Sequence, residues 1–246
     1  MLANRYGDKT SNEVRRIVAS SPIFSGMNGT HLSAIAEASE YIQCQRGQTL
    51  FERGEDASDC YQVVSGRVGL ISCASGRRPC MVAIRTPKQL FGDLSLFDSQ
   101  PRAASAKTLE SCTLVRIPYR PLRAILAEEP QLLWGFLQAF AGKVRHADDM
   151  LADALAVELL TRLARRLLEI AGDDDVFTLD ITQEEMASLV GASRERTNKA
   201  LSTLARSGAI SISSRTYRIV DRSLLAAYGR QDGDATNHRA HSSDLK

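Results

Sequence analysis

The chain has 246 residues, a formal net charge of +2, 43% apolar residues and 24% charged residues. These are globular values for one large domain or two small ones, and they exclude a fibrous or disordered chain. A charge balance this even excludes a protein that coats nucleic acid, so any basic patch is local. No apolar run reaches the ~18–20 residues of a membrane helix, and residues 1–16 hold no apolar stretch, so neither a membrane span nor a signal peptide is expected.

Residues 11–20 and 29–39 read as short helices. From 40 to 118 the pattern is β: Thr49-Leu50-Phe51, Tyr61-Gln62-Val63-Val64, Val68-Gly69-Leu70-Ile71, Met81-Val82-Ala83-Ile84 and Thr113-Leu114-Val115-Arg116-Ile117 are short runs broken by Gly47, Gly54, Gly66, Gly76 and Gly92. Many short strands at that spacing predict a sandwich or barrel. The cysteines Cys44, Cys60, Cys73, Cys80 and Cys112 form no CxxC pair, and His31, His146, His238 and His241 are scattered. That leaves no thiolate metal site and no nucleophile–base constellation, so neither a metal nor an enzyme is expected, and the thiols are read as reduced and cytoplasmic.

From Pro130 the period changes. Leu133, Leu137, Phe140, Val144, Ala147, Leu151 and Ala154 alternate spacings of four and three, a heptad seam over three repeats. Such a helix either packs on its own β domain or pairs with a second copy; the length of the seam favours a parallel homodimer. A second amphipathic helix carries Leu160, Leu163, Ala164, Leu167, Leu168 and Ala171 and ends at Gly172, followed by Asp173-Asp174-Asp175, read as a solvated loop rather than a metal site.

Phe177, Leu179 and Ile181 then alternate as in a strand. Thr182-Gln183-Glu184-Glu185 is a capping box, its helix stopping at Gly191, and Ser193 caps a second helix that runs to about Ser207. Two helices joined by a glycine turn form a helix-turn-helix signal. The second helix carries Arg194, Arg196, Lys199 and Arg206 against Glu195, residue types that read guanine and cytosine edges, although a solvated basic face has the same composition. Residues 209–213 and 217–220 read as two strands joined by Ser214-Arg215-Thr216, and the tail from Gln231 reads as disordered.

Residues 91–104, Phe-Gly-Asp-Leu-Ser-Leu-Phe-Asp-Ser-Gln-Pro-Arg-Ala-Ala, set an acid beside a glycine and an arginine nine positions on. Read as a surface loop, they offer backbone amides and a guanidinium to a phosphate and a carboxylate to a sugar hydroxyl. A turn held by an Asp93–Arg102 pair fits the same letters.

This segment resembles the phosphate-binding cassette of cyclic-nucleotide-binding domains. Gly54-Glu55-Asp56-Ala57-Ser58 with residues 61–68 resembles the glycine-framed hairpins of that domain. Residues 182–187 with 191–196 resemble the recognition motif of the CRP/FNR (cyclic AMP receptor protein-like) transcription regulators. The resemblance runs from about residue 22 to 222, with the motifs in the family's order. It implies an α+β chain: a jelly-roll-like β-roll sensor over 1–129, a dimerisation helix and hinge over 130–156, a winged helix-turn-helix over 157–230 and the tail 231–246.

By the same resemblance, a cyclic nucleotide, cAMP ahead of cGMP, is the effector. Asp93 stands at the ribose 2′-OH, Arg102 at the cyclic phosphate, and Gly92, Leu94, Ser95 and Ala103 around it; Asp93 is a methylene shorter than the family's Glu. Asp148 falls where the purine is faced, suiting adenine N6, guanine N1/N2, or a plain surface carboxylate. Arg194, Glu195 and Lys199 fall at base edges, Arg196 at a phosphate or base contact, and Thr182, Gln183 and Ser193 near phosphates. The implied partners are palindromic duplex DNA, a second copy of the chain and RNA polymerase. The same sequence leaves room for a ligand-independent or thiol-responsive regulator, with Cys73 and Cys80 flanking a turn. A cyclic-nucleotide-dependent enzyme or channel is disfavoured by the helix-turn-helix signal and the missing membrane segments.

Overall fold

The computed structural model describes residues 7–72 and 80–230. Cys73, with the turn that leads to Cys80, and the tail from Gln231 lie outside the described residues. The chain divides after His146 into two units.

In the first unit, α1 (Gly7–Ala19), a short 3-10 turn at Pro22–Phe24 and α2 (Gly29–Ala38) precede the strands. Asn28 caps α2, accepting from the His31 N–H at 2.9 Å. There follow β1 (Glu40–Cys44), β2 (Thr49–Phe51), β3 (Asp59–Ser65), β4 (Val68–Ser72), β5 (Cys80–Arg85), β6 (Leu90–Phe91), α3 (Leu94–Asp98), β7 (Ser105–Thr108), β8 (Cys112–Pro118), α4 (Tyr119–Glu128) and α5 (Leu133–Ala156). The strands form two four-stranded antiparallel sheets, ordered β1-β8-β3-β6 and β2-β7-β4-β5. The expected sandwich or barrel is thus a β-roll.

The roll's interior holds Phe51, Tyr61, Val63, Val68, Phe91, Ala106 and Leu114. On the other side of the first sheet, Val14, Val18, Phe24, Ile35, Val115, Leu122 and Phe136 form a second core with the helices. Strand β3 therefore meets packing on both faces, and Asp59 to Val63 are all buried rather than alternating. The β3–β8 register pairs Asp59 with Pro118 and Tyr61 with Arg116. This brings Asp59, Arg116 and the first residue of α4, Tyr119, to one end of the sheet.

In the second unit, the C-terminal part of α5 is followed by α6 (Leu159–Ala171), β9 (Val176–Thr178), α7 (Gln183–Leu189), α8 (Arg194–Arg206), β10 (Ile210–Ser213), β11 (Thr216–Ile219) and α9 (Arg222–Tyr228). Leu163, Ala164 and Leu167 of α6, Leu189 of α7, Leu204 of α8 and Leu225 of α9 are buried. The last three strands form an antiparallel sheet ordered β10-β11-β9, the wing of a winged helix-turn-helix. The strand expected through Ile181 is shorter and ends at Thr178; Leu179 is tied by its N–H to the Arg215 carbonyl at 2.9 Å. The wing hairpin is tighter than expected, because Thr216 pairs with Ser213 and the turn is Ser214-Arg215 alone. Arg222 binds Asp175 and donates to the Gly172 and Asp174 carbonyls, so the acidic run closes a helix junction.

Candidate functional site

Strand β6 ends at Phe91, and Gly92 turns the chain with φ +74° into α3, with Asp93 at its N-cap. A Cβ at Gly92 would lie 2.7 Å from Nη1 of Arg102, so only glycine lets the backbone approach that guanidinium. The backbone of Arg102 is fixed against the segment before β3: its N–H donates to the Glu55 carbonyl at 2.8 Å and its carbonyl accepts from Gly54 at 2.9 Å.

Leu94, residues 97–101 and Ala103 are exposed, but the side chain of Arg102 is only 4% exposed, so its guanidinium is not that of a surface loop. Nη1 donates to the carbonyls of Asp59, at 2.7 Å, and Gly92, at 2.9 Å, and meets the Tyr119 hydroxyl at 3.3 Å. Nη2 donates to Asp59 Oδ1 at 2.6 Å. The guanidinium lies 4.0 Å over the Phe51 ring. Its Nε is buried with no hydrogen-bond partner. Tyr119 also donates to the Gly92 carbonyl; burial pushes its phenol, like that of Tyr61, up to about 12.

The Asp93–Arg102 pair is not formed. Arg102 pairs with Asp59, whose other oxygen accepts from Arg116 Nε at 2.8 Å and Nη2 at 2.7 Å. Asp93, with its side chain 3% exposed, accepts from Lys143 of α5 at 2.9 and 2.6 Å. Gly92, Asp93, Ser95 and Arg102 are brought together, with Leu94 and Ala103 exposed beside them. Asp148 lies in the other unit, exposed on α5.

Asp59, Arg116, Tyr119 and Lys143 were not marked by the sequence. The signal for Asp59 was a charged residue heading a strand whose next four members are all apolar or amide; nothing marked Lys143. A buried guanidinium with its Nε unspent, beside a glycine turn and a carboxylate, suits a phosphate ester of a sugar.

In the second unit, Thr182 Oγ1 accepts from the Glu185 N–H at 3.1 Å and Glu185 accepts from the Thr182 N–H at 2.6 Å, closing the capping box. Gly191, at φ +62°, makes the turn, and the Ala192 N–H reaches the Ala187 carbonyl at 3.0 Å. Ser193 caps α8 through the Arg196 N–H at 3.4 Å. Ala187, Thr197, Ala200, Leu201 and Leu204 are buried, whereas Arg194, Glu195, Arg196 and Lys199 all stand exposed on the first two turns. Gln183 Oε1 accepts from Arg194 Nε at 3.2 Å and from Asn198 Nδ2 at 2.7 Å, so it braces the exposed face of α8.

The seam expected on α5 is divided. Leu133 and Phe140 pack against their own core, Phe140 meeting Phe97 edge-on at 5.2 Å. Trp134, Leu137, Val144, Leu151 and Leu155 are each more than half exposed. With Ala141 and Asp148, also exposed, they keep the three–four spacing, an outward stripe one residue on from Leu133 and Phe140; Ala147 and Ala154 of the expected seam are exposed as well.

An anion cradle in a β-roll, followed along the chain by a winged helix-turn-helix, is the plan of a ligand-sensing transcription regulator. Residues 41–129 match the cyclic nucleotide-binding domain family and residues 161–228 the Crp-like helix-turn-helix domain family. The chain is 34% identical over 221 residues, 87% of its length and 99% of the relative's, to a CRP-like cAMP-activated global transcriptional regulator of Mycobacterium tuberculosis. It is 27% identical over 205 residues, 83% of this chain and 95% of the relative, to the cyclic AMP receptor protein of Thermus thermophilus. The fold matches that of a CRP/FNR-family transcriptional regulator, also from Thermus thermophilus, with a TM-score of 0.63 and 23% identity, over 79% of this chain and 100% of the other. The chain belongs to the CRP/FNR family of transcription regulators; its named relatives are regulators, not enzymes.

Proposed function

We propose that the protein is a homodimeric, sequence-specific regulator whose DNA affinity is set by a cyclic nucleotide in the β-roll, cAMP ahead of cGMP. The observation that carries this reading is the buried, unpartnered Nε of Arg102 beside Gly92 and Asp93. A cyclic nucleotide supplies a monoanionic phosphate for that N–H and a ribose hydroxyl for Asp93. The name of the mycobacterial relative supports cAMP as the nucleotide.

In this reading residues 1–129 are the sensor, 130–156 the dimer helix and hinge, and 157–230 the DNA-binding domain. The outward stripe of α5 pairs with a second copy, and Asp148, its charged member, faces the purine. Arg194, Glu195 and Lys199 read base edges and Arg196 contacts a phosphate or a base, while Thr182, Gln183 and Ser193 lie near phosphates. RNA polymerase is the further partner, and a DNA partner sets the site of action in the cytoplasm. Ligand-independent control remains the competing reading. Three of the described cysteines do not favour a thiol switch: Cys44, Cys60 and Cys112 are buried, and burial raises their thiols, that of Cys112 to about 11, whereas Cys80 is partly exposed and Cys73 lies outside the described residues.

Calorimetric titration with cAMP and cGMP tests the sensor, and fluorescence anisotropy of a labelled palindromic duplex with and without nucleotide tests the coupling. Binding of cAMP with tighter DNA affinity is expected. A chain that binds neither nucleotide, or DNA affinity indifferent to a nucleotide that does bind, refutes the proposal.

A further inference from the structure

Among the described residues, the most enclosed carboxylate in the sensor outside the cassette is Asp59, with its side chain 6% exposed. It stands at the head of β3, opposite Pro118 in the ladder, and binds two arginines at once. Arg102 spends Nη1 and Nη2 within the fold, part of this on Asp59, and keeps Nε. A phosphate therefore meets a guanidinium whose far edge already holds a carboxylate. Asp59 is not free to swing away, because Arg116 grips its second oxygen with both Nε and Nη2.

The charges around the cradle are Arg102, Arg116 and Lys143 against Asp59 and Asp93, which leaves one positive charge. At the rim, exposed Glu40, 3.6 Å from Arg116, and exposed Arg123, on the carbonyls of Ser95 and Leu96, add one charge of each sign, and Glu55 and Asp56, exposed on the segment that holds the Arg102 backbone, add solvent-screened negative charge outside the ion-paired group. A singly charged phosphodiester brings this group to neutrality. A doubly charged phosphomonoester leaves one negative charge unmatched, next to side chains of Arg102, Asp59 and Asp93 that are all under 10% exposed. An unmatched charge at such a depth is costly.

We propose that Asp59 is a specificity-determining residue, whose fixed negative charge behind Arg102 selects singly charged phosphodiesters over doubly charged phosphomonoesters. In nucleotide terms it favours the cyclic nucleotide over the 5′-monophosphate of the same nucleoside, which has the same base, the same sugar and one further negative charge above the second phosphate pKa of about 6. The inference rests on the cyclic-nucleotide reading above and adds to it the group that rejects the ring-opened product.

The test is calorimetric titration of the full chain, its Asp59→Asn variant and its Arg116→Gln variant with cAMP and with 5′-AMP, at pH 8 and one fixed salt concentration. The readout is the ratio of the two dissociation constants. In Asp59→Asn the preference for cAMP should fall by about tenfold or more, the size of effect that one unit charge exerts a few ångströms away in a partly buried site. In Arg116→Gln, which removes a positive charge, the preference should rise. The Arg116 side chain is 45% exposed, so this variant carries the test where Asp59→Asn does not fold. An equal loss of both nucleotides in Asp59→Asn is what a merely structural residue gives, and it overturns the assignment. So does an unchanged ratio in either folded variant. In both of these cases binding of cAMP to the parent leaves the underlying reading intact, whereas a parent that binds no cAMP overturns the two together.

Discussion

Lys143 donates to both carboxylate oxygens of Asp93, at 2.9 and 2.6 Å, and ties α5 to the start of α3 across 50 residues of sequence. A ribose hydroxyl that reaches Asp93 shares its acceptor with this lysine, so the sugar end of the cradle and the long helix meet in one ion pair. Lys143→Met leaves the nearly buried carboxylate without its cation. Because the lysine side chain is 35% exposed and so partly screened, the expected loss of stability is about 1–2 kcal/mol, below that of a fully buried pair. Urea denaturation of parent and variant measures it; an unchanged midpoint shows that the pair contributes nothing to the fold.

Arg102→Ala is expected to act twice. It removes the phosphate contact, weakening cAMP binding by about 30- to 1000-fold, which is on the order of 2–4 kcal/mol. It also leaves Asp59 with Arg116 as its remaining partner and opens space above Phe51, at a cost of about 3 kcal/mol or more. Calorimetry and denaturation on the same sample separate the two. Full stability with lost binding would restore the picture of an open loop.

Pattern in the sequence carried the elements whose local chemistry is self-contained. Thr182 and Glu185 announced their capping box and Gly191 its turn, because each depends on neighbours within a few residues. What stayed hidden depends on pairings between distant residues. Asp59 meets Arg102 at a separation of 43 residues, through the backbone bonds of Arg102 to Gly54 and Glu55, and Arg116 at 57, through the β3–β8 ladder. The offset on α5 has another cause. The helix is apolar on two adjacent faces, Leu133-Phe136-Phe140 and Trp134-Leu137-Val144, and a heptad count cannot tell which one the chain keeps for its own core.

The divided faces of α5 give opposite outcomes for neighbouring substitutions. Val144→Glu or Leu137→Glu sets like charges on the outward stripe and should turn a dimer into a folded monomer at micromolar concentration. Phe140→Glu buries a charge beside Phe97 and should lower stability before it touches assembly. Sedimentation equilibrium with circular dichroism distinguishes these results, and a monomeric parent removes the dimer assignment.

Alkaline pH should open the cradle. The phenols of Tyr61 and Tyr119, ordinarily near 10, are pushed up to about 12, chiefly by burial. A group held neutral in the fold contributes stability that is complete below pH 10 and is lost as pH rises through 12. Once ionised, Tyr119 also loses its bond to the Gly92 carbonyl. Phenolate absorbance should therefore appear late and together with loss of cAMP binding. Titration of all tyrosines near pH 10 with the fold intact would contradict the burial of both rings.

The last expectation concerns how α8 reads DNA. Arg194, Glu195 and Lys199 stand exposed on its first two turns, where major-groove readers sit, and two such helices in a dimer suit half-sites about 34–36 Å apart. Arg194→Ala should cost ~1–3 kcal/mol and relax discrimination at one base position. The family resemblance implies that Gln183 lies near the phosphates, where its loss would weaken all duplexes alike. Its observed hydrogen bonds to Arg194 Nε and Asn198 Nδ2 predict a second effect, because the reading side chain loses its brace. Gln183→Ala should thus blur the base position that Arg194→Ala erases, and the double variant should lose little more than Arg194→Ala does, since the two residues act as one unit. Selection from random duplexes at one stated salt concentration, on the parent, both single variants and the double, decides it. A uniform loss of affinity for Gln183→Ala with an unchanged logo would assign Gln183 to the phosphates alone, and a logo unchanged in Arg194→Ala would make the basic turn of α8 a solvated face.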